Sequence, residues 1–126
     1  MRSVIETMQH EARTSHPNEC CGILLGEGDA IREARPAANV HPRPQTRFAI
    51  DPQALIDVHR AARNGGPLVL GYYHSHPHGE PAPSDRDREG GSGDGMLWAI
   101  LAGDTVGWWQ DAPGGFVALS LDLISG

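Results

Sequence analysis

The chain of 126 residues contains no lysine: its ten positive side chains are all arginine, scattered from Arg2 to Arg88. They gather into no basic stripe, and sixteen acidic residues leave a formal charge of −6. That excludes nucleic acid as the main partner, because phosphate binding needs a concentrated cationic surface. Cysteine is scarce as well. Cys20 and Cys21, the only two, are adjacent, and neighbours on a strand point to opposite faces, so a disulfide between them would be strained. Lacking a second pair, they cannot form a thiolate zinc site. They read as small buried hydrophobes in a reducing compartment. No apolar run approaches the length of a membrane span, and the opening MRSVIETMQHEART carries acidic residues without a signal-peptide core. The expectation is a cytoplasmic protein with no membrane partner, built as one domain over residues 1–126.

What is present has a readable order. Val4, Met8 and Ala12 recur every four positions from Arg2 to His16, which marks an amphipathic helix closed by Pro17. CCGILLG (20–26) reads as a buried strand and 30–35 as a second, followed by an irregular connection over 36–45 whose prolines forbid a ladder. RFAI (47–50) looks like a strand. Asp51 then caps a helix with Pro52 at its first position, and Leu55, Val58, His59 and Ala62 form its inner face until Asn64-Gly65-Gly66 ends it. PLVLGYYH (67–74), MLWAILAG (96–103), TVGWWQ (105–110) and FVALSL (116–121) are the remaining strands, with Trp108 and Trp109 read as core or hairpin residues. The order predicts an α/β (mixed α+β) fold: a mixed sheet with flanking helices. The glycine-rich stretch 88–95 is too poor a helix former for more than a short turn, so a mobile loop is expected there.

One segment stands apart: 71-GYYHSHPHGEPAPSDRD-87, with three histidines in five residues where a core strand ends. Side chains alternate along a strand, so His74 and His76 share a face and Ser75 takes the other. Two imidazoles so placed can share a zinc ion, and a carboxylate from the following loop completes a common hydrolytic set. Asp87 is a candidate; on the residues alone Asp85 serves as well. His78, past Pro77, reads as a solvated loop residue, and His10, His16, His41 and His59 as structural or exposed.

His74-x-His76, seven residues, Ser84, two residues and Asp87 match the JAMM motif, and the chain resembles the MPN (Mov34/PAD-1) metalloprotease family. Upstream, 16-HPNECCGILLG-26 resembles that family's segment in which a glutamate precedes a glycine-containing strand. The resemblance implies a curved, largely antiparallel sheet of the MPN/cytidine-deaminase-like kind. It implies Zn2+ held by His74, His76 and Asp87, with Glu19 as general acid and base and Ser84 stabilising the oxyanion. The short chain is most similar to compact prokaryotic members. The implied substrate is the Gly-Gly tail of a small ubiquitin-like or sulfur-carrier protein, cut by a zinc isopeptidase. A non-catalytic MPN scaffold and a cell-wall or phage-type peptidase of the same metal family are the alternatives. A zinc deaminase would need a Pro-Cys-x-x-Cys pair that is not here. The sequence leaves the oligomeric state open.

Overall fold

A computed structural model describes residues 1–120. In chain order its elements are α1 (Arg2–Ser15), β1 (Cys21–Glu27), β2 (Ala30–Ala37), α2 (Pro52–Arg63), β3 (Leu68–Ser75), α3 (Asp85–Gly90), β4 (Leu97–Ala102), β5 (Thr105–Ala112) and β6 (Gly115–Leu119). The strands form one mixed sheet in the order β2-β1-β3-β4-β5-β6. Every neighbouring pair is antiparallel except β3 and β4, which run parallel.

The continuous apolar run of β1 follows from its position, because helices cover it on both faces. Leu24 and Cys20 join Val4 and Met8 of α1, Tyr73, Ala99, Leu101 and Trp108 on one side. Ile23 and Leu25 meet Val58 of α2 on the other. Met8 and Val4 are buried, and each contributes about 1.5–3 kcal/mol of apolar burial to docking α1. Gly22 is required by this packing: a Cβ there would lie 2.3 Å from the ring of Tyr73. Tyr73 in turn donates its hydroxyl proton to Glu11 of α1, tying helix to sheet. Both cysteines are buried and unpaired, and burial pushes each thiol up to about 12, which keeps them inert.

The parallel β3–β4 pair creates the place for a site. Parallel neighbours cannot be joined by a tight turn, so residues 76–96 must cross over the end of the sheet. That crossover carries α3 and lies above the carboxyl end of β3, the place where open sheets with parallel strands hold their ligands.

Three expectations differ from the structure. Pro36 does not end β2, which continues to Ala37 and pairs Pro36 with Gly22. As an edge strand, β2 tolerates the missing N–H. Residues 47–50 form no strand; they contribute a single bridge, Asn39 with Ile50, and the side chain of Asn39 takes the place of a ladder. The glycine-rich stretch after α3 is a loop without helix or strand, but it carries ties to the sheet that the expectation did not include. The buried carboxylate of Asp111 accepts from the backbone N–H of Ser92 at 2.9 Å and of Gly93 at 3.1 Å, while Gly95 N–H donates to the Asp111 carbonyl at 2.8 Å. Residue 121, the end of the expected strand 116–121, lies outside the described residues. Among the described residues no helix is long and apolar enough to cross a membrane.

Candidate metal centre and cleft

β3 delivers the two histidines. His74 lies within the strand, paired with Cys21 and Ile100, and only 1% of it is exposed. His76 follows the strand's last residue, its N–H held by the Leu101 carbonyl at 2.7 Å. As alternation requires, both stand on the face opposite Tyr73. Ser75, between them, accepts from the N–H of Cys20 at 2.9 Å and thereby fixes the start of β1. The ring of His74 is stacked on Phe48 at 4.2 Å between centroids and meets the edge of Trp98 at 5.6 Å. This is the role of the segment misread as a strand.

Asp87 comes from α3. Ser84 caps that helix: its Oγ accepts from Asp87 N–H at 3.1 Å, and the Asp87 carboxylate accepts from Ser84 N–H at 2.9 Å. This reciprocal cap turns Asp87 inward, where it is buried, and leaves Asp85 exposed. Of the two carboxylates the sequence offered, the structure brings Asp87 to the histidines.

His74 Nε2, His76 Nε2 and Asp87 Oδ2 form a triangle with all three sides 3.1 Å. Donors about 2.0–2.1 Å from a tetrahedral zinc ion would be separated by about 3.3 Å, so the triangle has the size of a zinc face. The proton count points the same way. His76 Nδ1 lies 2.7 Å from the Glu80 carbonyl, which can only accept, so Nδ1 carries the ring proton. In the neutral ring Nε2 is then a bare lone pair facing a carboxylate oxygen and a second imidazole. A proton or a metal cation must fill that space. Burial alone would raise Asp87, yet hydrogen bonds from His74 and His76 outweigh it and hold the carboxyl far below its usual range. Burial lowers the pKa of His74 against the pull of Asp87. For His76 burial also lowers it, but the bonds to Asp87 and the Glu80 carbonyl prevail and the net shift is upward.

Glu19 completes the group. One of its oxygens and a ring nitrogen from each histidine all lie within 4.8 Å of one another. Its main chain is clamped on both sides, N–H to the Pro44 carbonyl at 2.7 Å and carbonyl to Asn39 Nδ2 at 3.0 Å. Only 6% of Glu19 is exposed, and burial pushes its carboxyl up to about 7, partly offset by the nearby charge of His76. A carboxylate so placed stands beside the triangle and titrates where a proton carrier is useful.

The triangle opens on a cleft of about 550 Å³ lined by Glu19, Thr46, His76, Glu80, Ser84 and Arg86, among others. Since Ser84 Oγ accepts from Asp87 N–H, its own O–H remains a free donor toward this space. All five residues singled out in the sequence, Glu19, His74, His76, Ser84 and Asp87, are thus together. His78 is not part of this group; it is an exposed residue of the cleft wall, with its ring against that of His16.

Sequence reasoning missed the supports. Asn39 uses both ends of its amide: Oδ1 accepts from His41 and Ala49, and Nδ2 donates to Glu19 and Arg47. A lone asparagine in a proline-rich connection is a turn signal, but nothing local says that it staples Glu19. Phe48 and Asp111 were equally silent, because their partners lie far along the chain.

The family model described as prokaryotic homologs of the JAB domain matches residues 1–113. A desampylase of Haloferax volcanii is 34% identical over 104 residues, 81% of this chain and 75% of the relative. A probable TtuB-protein conjugate cleaving protease of Thermus thermophilus is 39% identical over 74 residues, 59% of this chain but 49% of that protein. Among solved structures, a Desulfitobacterium hafniense protein determined in solution superposes with a TM-score of 0.82 at 25% identity, covering 95% of this chain and 88% of that one.

Proposed function

Because the chain belongs to the prokaryotic family of JAB-domain homologues, we propose that it is a zinc-dependent peptidase. Its substrate is the C-terminal Gly-Gly tail of a small ubiquitin-like or sulfur-carrier protein, and it hydrolyses the bond that follows. The observation that carries the reading is the 3.1 Å triangle of three converging lone pairs with a buried carboxylate at its side. The names of two relatives, a desampylase and a conjugate-cleaving protease, support hydrolysis of protein conjugates as the reaction class.

His74, His76 and Asp87 would hold the metal, which would supply a water acidified to a pKa of about 7 and a Lewis acid for the scissile carbonyl. Glu19 accepts the proton as the water oxygen adds to the carbonyl carbon. It then returns that proton to the nitrogen as the C–N bond breaks, so the amine leaves neutral and the carboxylic acid stays on the carrier. The Ser84 hydroxyl donates to the carbonyl oxygen as negative charge gathers there. No side chain attacks carbon, and no covalent intermediate forms. An extended diglycine suits the cleft because it brings no side chains to its walls.

The test is a carrier protein bearing a short C-terminal extension after Gly-Gly, with the products weighed by mass spectrometry. The expected result is a cut after the second glycine, lost on chelation and restored by zinc. Two alternatives are read in the same experiment. A chain that binds zinc and the tail without cutting is a scaffold, and one that prefers a cell-wall peptide belongs with the peptidases of that substrate.

A further inference from the structure

We infer that Trp109 is a positioning residue for the metal triangle, acting through the loop that orients His76, a role that rests on the metal reading of the site. The crossover segment 77–83 has three prolines, Pro77, Pro81 and Pro83, and therefore little backbone bonding of its own. Within it the Glu80 carbonyl has a specific task, accepting the Nδ1 proton of His76 at 2.7 Å and so turning the bare Nε2 toward His74 and Asp87. A carbonyl can hold a ring tautomer only if it is itself held.

The adjacent carbonyl, that of Pro81, accepts the indole N–H of Trp109 at 3.0 Å. Among the described residues this is the one hydrogen bond from the sheet to segment 77–83. β5 is shaped for it. Gly107, two positions earlier and hence on the same face as Trp109, passes so close that a Cβ there would lie 1.8 Å from the Pro81 oxygen. Trp109 pairs with Trp98, whose ring edge also meets His74. One face of the sheet thus supports both histidines, His74 by ring contact and His76 through two consecutive carbonyls.

The experiment is Trp109→Phe in the full chain, which keeps an aromatic ring and removes the donor. Zinc affinity is measured by competition with a chromophoric chelator, and the His76 tautomer in the metal-free protein by ¹⁵N NMR of the imidazole. Affinity should fall about tenfold, the low end for partners that orient metal ligands, and His76 should lose its fixed Nδ1–H form. Because coupling is reciprocal, zinc must strengthen the Trp109 bond by the same factor. In the unmodified protein, exchange of the Trp109 indole proton should therefore slow about tenfold on zinc loading, with Trp108, packed in the core of the opposite face, as internal reference. That second measurement decides the matter if the variant does not fold. Unchanged affinity and an unchanged His76 tautomer, or indole exchange indifferent to zinc, would overturn the inference. Should the unmodified chain take up no zinc, the metal reading falls, and the His76 tautomer still decides for or against Trp109.

Discussion

Replacing Glu19 by Gln removes one proton acceptor and almost nothing else. The side chain keeps its shape, and its buried position is set by main-chain bonds to Pro44 and Asn39 that the substitution does not touch. Asp87, with an oxygen 3.1 Å from both histidines, remains to hold the metal. Zinc affinity should therefore change little while turnover collapses. General acid–base groups contribute about 100- to 10,000-fold, so kcat should fall by that factor, equivalent to about 2.7–5.5 kcal/mol at the transition state. KM should stay close to its starting value, because the lost contact is made only as the proton moves. The pH profile gives a second, sharper reading. The Glu19 carboxyl sits at about 7 without a cation, and a positive charge in the triangle can only lower it. The rate should rise about tenfold per pH unit below that point and level off at or below pH 7. That limb should vanish in Glu19→Gln. The assay is steady-state cleavage of the tail-extended carrier with zinc content measured on the same samples. A zinc-loaded variant retaining more than about a tenth of kcat would refute the assignment of the proton carrier.

Further outcomes follow from the same structure. Ser84 both caps α3 and offers a hydroxyl to the cleft. Ser84→Gly keeps the N–H that holds the Asp87 carboxylate, and glycine is a fair N-cap, so thermal stability should change by only a few tenths of a kcal/mol and zinc content should hold, while kcat falls about tenfold or more. In the metal-free protein the raised pKa of Glu19 stabilises the fold below pH 4.5, and that contribution is lost as pH rises through about 7. The melting temperature of the chelated protein should accordingly drop between pH 5.5 and 8 more than that of chelated Glu19→Gln, and equal drops would contradict it. Gly22→Ala drives a methyl to 2.3 Å from the Tyr73 ring and should cost about 1–3 kcal/mol, read as a lower denaturant midpoint.

How far the sequence reached depended on how local each feature was. His74 and His76 were legible because strand alternation acts over two residues, whereas the residues alone left Asp85 and Asp87 equal, and only the resemblance to the MPN family singled out Glu19, Ser84 and Asp87. The element order was legible from equally local signals, the period of Val4 and Met8 and the apolar run of β1. Pro36 misled because its tolerance depends on β2 being an edge strand, a fact of topology rather than of neighbours. Phe48 was assigned to a strand by its composition, whereas its partner is the ring of His74. The glycine-rich stretch looked mobile because the carboxylate that ties it, Asp111, enters from the far hairpin. Each failure lay where a tertiary contact overrode a local preference.

On the proposed reading, His74 Nε2, His76 Nε2 and Asp87 Oδ2 converge because a cation belongs between them. Titration of the metal-free protein with zinc, followed by X-ray absorption at the zinc edge, tests it most directly. The expected result is one zinc per chain with two imidazole nitrogens and carboxylate oxygen among its ligands at about 2.0–2.1 Å, and tight binding abolished in Asp87→Ala. Binding that survives Asp87→Ala undiminished, or no uptake below millimolar zinc, would contradict it.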